Sequence, residues 1–342
     1  MSFRLRHESR PNAFGKDPTI WILEDDAGTR LDIWPELGFN AFRWTVQGVD
    51  LLDADPAFFS ELRPSRSGFP ILFPFPNRIR DGRFSWAGKE YALPLNCPKG
   101  VHAIHGFALN AAWTPLLPVL TEDHAELAAE FHGGANWPAT FSLTVTYRLG
   151  RTTLDIVARV RSFDMPLPMG LGYHPYFRVA PFGGDEARVF AAAERYWVLD
   201  ENLPTGEVKV AESPGTAIPG LCPARRFGDL HVDAVYTALN PLARENNLDL
   251  IAGIEHPNGS RRLHLWASPS FRELVVFTPP HRRSICLEPY ACATDAINLQ
   301  ARGVDAGWIV LPPHQTWRAT VHLSLHGASA HAENAYSGDD RS

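Results

Sequence analysis

Apolar and polar residues alternate with period two along most of this chain. Phe141, Leu143, Val145 and Tyr147 are separated by Ser142, Thr144 and Thr146; after Gly150-Arg151 the pattern resumes at Leu154, Ile156, Ala158 and Val160. Successive side chains of a strand point to opposite faces, so this stretch predicts an antiparallel hairpin with one buried face. Trp317, Ala319, Val321, Leu323 and Leu325 alternate with Arg318, Thr320, His322 and Ser324 in a final strand. Shorter strands are predicted over 19–23, 41–46, 83–93, 234–239, 262–266, 274–277 and 284–287. Helical patterns are few. Residues 55–62 can form one or two turns started by Asp55-Pro56, and 121–131 fits helix or strand, with its strand neighbours favouring a strand. Turn residues punctuate the chain at Asp81-Gly82, Ala87-Gly88-Lys89, Gly133-Gly134, Pro214-Gly215 and Pro257-Asn258-Gly259. No fixed-period repeat and no interdomain linker stands out. Many antiparallel strands without βαβ alternation predict an all-β fold, a single large antiparallel β-sandwich with few short helices over 1–327. The stretch 328–342, rich in Ala, Ser, Gly and Asp, reads as a flexible tail.

Composition narrows the class. A 342-residue chain with 45% hydrophobic residues can bury a substantial core, and its 29 prolines suit a loop-rich β architecture. The net charge of -6, with no basic run carrying interleaved aromatics, argues against a nucleic-acid partner. The first residues contain no apolar secretory core, and no run approaches the ~18 apolar residues of a membrane span. Cys97, Cys222, Cys286 and Cys292 are irregularly spaced without a Cys-x-x-Cys pair, so reduced thiols in a cytoplasmic protein are expected.

Chemistry concentrates in four short runs. Gly170-Leu171-Gly172-Tyr173-His174-Pro175-Tyr176-Phe177 sets a titratable histidine among glycines, a proline and aromatics. Ile104-His105-Gly106-Phe107, Cys286-Leu287-Glu288-Pro289-Tyr290 and the segment 77–84 accompany it. Two histidines and a glutamate at strand edges make a plausible acid/base set. Each also has a blander reading: Glu288 as a surface carboxylate or arginine partner, His174 and His105 as loop histidines bonded to backbone, Arg78 as an exposed hairpin arginine. His102 and His105 superficially suggest a metal pair, but the spacing lacks further ligands and no metal site is expected. Trp86, Trp113 and Trp266 could stack on a ligand, although most tryptophans of a β protein lie in its core.

Together these runs resemble the aldose 1-epimerase (galactose mutarotase) family over roughly residues 20–325. The resemblance implies a large twisted sandwich with its site on a concave sheet, a small-molecule sugar as substrate, and no metal or redox cofactor. It implies that Glu288 is the base that deprotonates the anomeric hydroxyl, and that His174 is the acid that protonates the ring oxygen. His105 would assist, while Arg78, Asn77 and Asp233 would bind sugar hydroxyls. A neighbouring carboxylate is expected to favour protonated His174.

The pattern departs from the family in two places. The common run is His-Gly-Gly, whereas Phe107 follows Gly106 here. Relatives acting on hexose 6-phosphates often continue His-Gly-Phe with Ala-Arg; this chain continues with Ala108-Leu109. Without that arginine, and with Asn77-Arg78 retained, a free aldohexose is the expected substrate. The alternatives are a hexose-6-phosphate 1-epimerase, a glycoside hydrolase using Glu288 and Asp233, and a non-catalytic carbohydrate-binding protein. Whether the molecule is a monomer or a homodimer is left open.

Overall fold

The computed structural model describes residues 2–10, 14–213 and 217–327. The tail at 328–342 and the Pro214-Gly215 turn lie outside them. Three antiparallel sheets dominate. A five-stranded meander runs Arg4–Ser9, Thr19–Glu24, Arg30–Trp34, Asn40–Val46 and Val49–Asp50. An eleven-stranded sheet is built around His124–Gly133, Phe141–Gly150, Thr153–Ser162, Thr316–His326, Arg262–Ala267 and Leu248–Glu255. An eight-stranded sheet is ordered Leu203–Val210, Ala193–Asp200, Asp233–Leu239, Glu273–Phe277, Ser284–Tyr290, Gly172–Tyr173 and Ile71–Leu72, with Tyr176–Arg178 also pairing Ser284–Tyr290.

The alternating residues account for the layers. Phe141, Leu143, Val145, Tyr147, Leu154, Ile156, Ala158 and Val160 are all fully buried, and they join Tyr173, Phe177, Tyr236 and Leu287 in one apolar cluster spanning the two large sheets. That is the sandwich core. Tyr147 keeps its hydroxyl satisfied there by donating to the Phe39 carbonyl at 3.2 Å.

Local predictions meet the structure with three differences. Residues 121–131 do fall mostly in a strand, His124–Gly133. The stretch 83–93 is a hairpin, Arg83–Trp86 and Lys89–Ala92, turned by Ala87 and Gly88 in left-handed conformations. The turn at 55–62 is a single helical one, Ala57–Ser60, whose first amide donates to Asp55 at 2.8 Å. A second short helix, Ala296–Ala301, was not anticipated, because six residues are too few to display a helical period. Among the described residues no helix is long and apolar enough to cross a membrane.

Candidate active site

The eight-stranded sheet brings the chemical runs together through its register. Ser284–Tyr290 pairs Tyr290 with Gly172 and Cys286 with Tyr176. His174 lies in the break between those two short partner strands, so the same register sets it opposite Glu288. On the other side Val275 pairs Glu288, while Phe277 pairs both Cys286 and Asp233. Side chains two apart share a face. Asp233, Cys286, Glu288, Tyr290, His174 and Tyr176 therefore project from one face of this sheet. Glu288 is inside its strand, not beyond the strand's end as the pattern over 284–287 suggested.

A second layer of loops brings in the remaining groups. Arg78–Ile79 pairs antiparallel with Ala103–Ile104, and the His105 amide donates to the Asn77 carbonyl at 2.8 Å. Asn77 Oδ1 accepts from Arg78 Nη1 at 2.9 Å. The helix Ala296–Ala301 fixes this loop from behind. Asp295 donates its amide to the Arg78 carbonyl at 2.9 Å, and its Oδ1 accepts from the Arg80 amide at 3.0 Å. His105 and Gly106 are both left-handed, with φ of 65° and 67°. A Cβ on Gly106 would stand 2.2 Å from the Phe73 carbonyl oxygen, so only glycine allows that backbone approach.

His174 Nε2 stands 3.5 Å from Glu288 Oε1, and Tyr290 donates its hydroxyl to Glu288 Oε2 at 2.5 Å. The His174 ring stacks on Tyr176 with centroids 4.8 Å apart and meets the His105 ring edge-on at 5.6 Å. Glu288 is 1% exposed and His174 9%. Nδ1 of His105 and of His174 are buried without a protein hydrogen-bond partner.

Burial controls the electrostatics. Desolvation pushes Glu288 well above the usual carboxylate range, with the Tyr290 hydrogen bond and Arg78 opposing it and Asp233 adding to it. Desolvation pushes His174 down to about 4, and holds His105 well below its ordinary value with help from His174 and Arg78. Asp233 has an exposed side chain, yet the protein surrounding its carboxyl raises its pKa against the pull of Arg78. The expectation that a carboxylate neighbour keeps His174 charged is thus reversed by burial. Removing both groups from water outweighs their mutual attraction.

A family model described as aldose 1-epimerase matches residues 42–324. The chain belongs to the aldose 1-epimerase family. Among its relatives, the Escherichia coli protein YphB is 30% identical over 153 residues, 44% of this chain and 49% of that protein. Mouse galactose mutarotase is 36% identical over 147 residues, 41% of each chain. The chain thus aligns with about half, or less, of the length of these two relatives. A galactose mutarotase-like protein of Clostridium acetobutylicum superposes with a TM-score of 0.80, covering 95% of this chain and 99% of the other at 23% identity. At that identity the likeness is one of fold, and it extends across both large sheets.

Within this family member all six residues singled out in the sequence face one region. Arg78 makes itself felt electrostatically at His105, Asp233 and Glu288. His102 turns away: its Nδ1 accepts from the Asp81 amide at 3.1 Å, and it forms no metal pair with His105. Trp113 is buried and stacks on Phe39, so it is core. Tyr290, Tyr176 and Cys286 were missed as site residues, although two-residue spacing from Glu288 and His174 pointed to each. Metal-ligand spacing among the described residues occurs at His174, Cys286 and Glu288, whose ligand atoms lie within 4.8 Å of one another. A separate cavity of about 520 Å³ is lined by Trp197, Thr237, Arg244, Phe271 and Arg272. Of the arginines that line it, Arg244 and Arg272 are paired with Asp249 and Asp305.

Proposed function

We propose that this protein is a cofactor-independent aldose 1-epimerase that interconverts the α and β anomers of a free aldohexose. The observation that carries the reading is the buried contact between His174 Nε2 and Glu288 Oε1 at 3.5 Å, on the same face as Asp233. Ring opening needs one group that takes a proton from O1 and another that gives a proton to O5. Glu288 acts as the base and His174 as the acid. The C1–O5 bond breaks as both protons move, the aldehyde rotates about C1–C2, and closure on the other face reverses the transfers.

The protonation pattern supports this pairing. Raised Glu288 and lowered His174 leave the pair with one proton between the two titrations. Carboxylic acid with neutral imidazole, and carboxylate with imidazolium, are two arrangements of that single proton. Burial of both groups favours the first. Sugar hydroxyls and the Arg78 guanidinium stabilise the second, from which ring opening starts. His105 assists at the ring oxygen, while Arg78, Asn77 and Asp233 hold the hydroxyls. A glycoside hydrolase would need a second carboxyl across the scissile bond. Asp233 sits two strands from Glu288's strand, roughly 10 Å in backbone spacing, and the groups touching Glu288 are His174 and Tyr290, neither of them a carboxyl.

The test is polarimetry of freshly dissolved α-glucose and α-galactose. Faster approach to an unchanged final rotation, lost in Glu288→Gln, is the expected result. No acceleration with either sugar would reject the free-aldohexose reading, and acceleration of a 6-phosphorylated aldose alone would replace it.

A further inference from the structure

Cys286 is the buried nucleophile that ring opening leaves unused. Its side chain shares a face with Glu288, two residues on, and its register partner Tyr176 carries the stacked ring of His174. Thiolate, imidazole and carboxylate are together the ligand types of zinc sites. Bond lengths of 2.0–2.3 Å to a tetrahedral ion set ligand atoms about 3.5 Å apart. His174 Nε2 and Glu288 Oε1 already have that separation, and one ligand atom from each of His174, Cys286 and Glu288 lies within 4.8 Å of the others. The strand register holds the backbones of Cys286 and its neighbours, so closing the set requires the Cys286 side chain to turn toward the other two as the ion enters. Tyr290 holds the far carboxylate oxygen, as outer partners of metal ligands do.

We propose that Cys286, His174 and Glu288 form a capture site for a thiophilic divalent cation, Zn²⁺ or Cd²⁺, and that capture shuts the anomer-interconverting site. The ion takes the nitrogen that would protonate O5 and the oxygen that would accept the O1 proton. Its fourth position faces the sugar site, where water completes the shell. As the sulfur–metal bond forms, the thiol proton leaves to solvent, together with the proton shared by Glu288 and His174; nothing is oxidised or reduced. The shutting rests on the proposed function, whereas the capture rests on geometry alone.

Titrating the purified protein with Cd²⁺ separates the two. The expected result is a thiolate-to-cadmium absorption that saturates at one equivalent, is reversed by EDTA and is displaced by Zn²⁺. Cys286→Ser should abolish it, and His174→Asn should weaken binding by about 100-fold or more, beyond the loss typical of an outer partner. A Cys97→Ser/Cys222→Ser double variant should keep it. A band that survives in Cys286→Ser, or Cd²⁺ affinity unchanged in His174→Asn, overturns the capture; the second variant decides if the first fails to fold. Full mutarotation with one equivalent bound overturns the shutting. Absence of mutarotation in metal-free protein overturns the proposed function instead, and leaves the absorption to decide the capture.

Discussion

Among the histidine–carboxylate pairs that bridge neighbouring strands in the described residues, His322–Asp155 and His264–Glu255 lie in the eleven-stranded sheet and His174–Glu288 in the candidate site; the first and last make the sharpest contrast. In the eleven-stranded sheet, His322 Nδ1 and Asp155 Oδ1 are 2.5 Å apart, with both side chains more than a quarter exposed at 28% and 27%. In the eight-stranded sheet, His174 and Glu288 are farther apart at 3.5 Å, but their side chains are 11% and 1% exposed. The closer pair is the less chemical one. Water reaches both His322 and Asp155 and screens the contact between them. Around His174 and Glu288 the protein replaces water, both pKa values move, and a sugar hydroxyl would be the best available solvent for the ionic form. Under the proposed function, enclosure rather than proximity is what would make such a pair an acid and a base.

The largest expected effect breaks the enclosed pair. Glu288→Gln and His174→Asn each remove one proton-transfer partner while keeping a polar group of similar size. Each should lower the mutarotation rate by about 10²–10⁴-fold, the span of a general acid or base, with near-native circular dichroism. A rate equal to wild type in either variant would remove that residue from its role. Gly106→Ala should come next. A left-handed backbone at an L-residue costs about 1–2 kcal/mol, and the added methyl meets the Phe73 carbonyl at 2.2 Å. The loop must shift and carry His105 with it, so both melting temperature and rate should fall. A fully active, equally stable variant would show that the loop is not held as tightly as described.

Much of this site was legible in the sequence because strands write their faces at every second residue. Leu143, Val145 and Tyr147 announced the core, and the runs around His174 and Glu288 marked two residues that the fold brings into contact. What stayed hidden were consequences of register between distant segments. Nothing in the order of residues says that Gly172 pairs Tyr290, and hence that His174 meets Glu288. The sign of the His174 shift was misread for the same reason: a nearby carboxylate is visible as a residue type, whereas desolvation is a property of the assembled layers. Tyr290 lay in the quoted run, yet its hydroxyl acquired a role only once Glu288 was found inside the strand. The helix Ala296–Ala301 escaped because its importance is one buried aspartate at its start, bonded across the fold to Arg80.

Tyr290→Phe sharpens the comparison at smaller amplitude. The hydroxyl donates to Glu288 and favours the charged carboxylate, opposing burial. A hydrogen bond to a charged group contributes about 1.5–3 kcal/mol, so the plateau rate should fall by about tenfold or more with little change in KM. The pH profile gives the sign. The pair holds two protons below about 4, where His174 titrates, one proton above that, and none beyond the raised pKa of Glu288. Activity requires the one-proton form, so the profile is bell-shaped with apparent values belonging to the pair. Losing the donor raises Glu288 further, and the alkaline limb of Tyr290→Phe should move to higher pH. An alkaline limb moving down would mean that Tyr290 does not act through the carboxylate.

The exposed pair supplies the smallest effect and the control that gives the others meaning. Asp155→Asn leaves the side chain's size and removes its charge, and water takes over part of what the carboxylate did for His322. Partly solvated ion pairs contribute about 0–1 kcal/mol, so the denaturant midpoint should move slightly and the mutarotation rate not at all. The 2.5 Å contact makes this a demanding case, because on distance alone it should matter more than the 3.5 Å contact of His174 and Glu288. A loss of activity in Asp155→Asn comparable to that in Glu288→Gln would show that the two sheets are coupled through the core and that enclosure is not what separates the pairs. A silent Asp155→Asn beside an inactive Glu288→Gln is the expected outcome, since both are histidine–carboxylate contacts between neighbouring segments and burial is the larger difference between them.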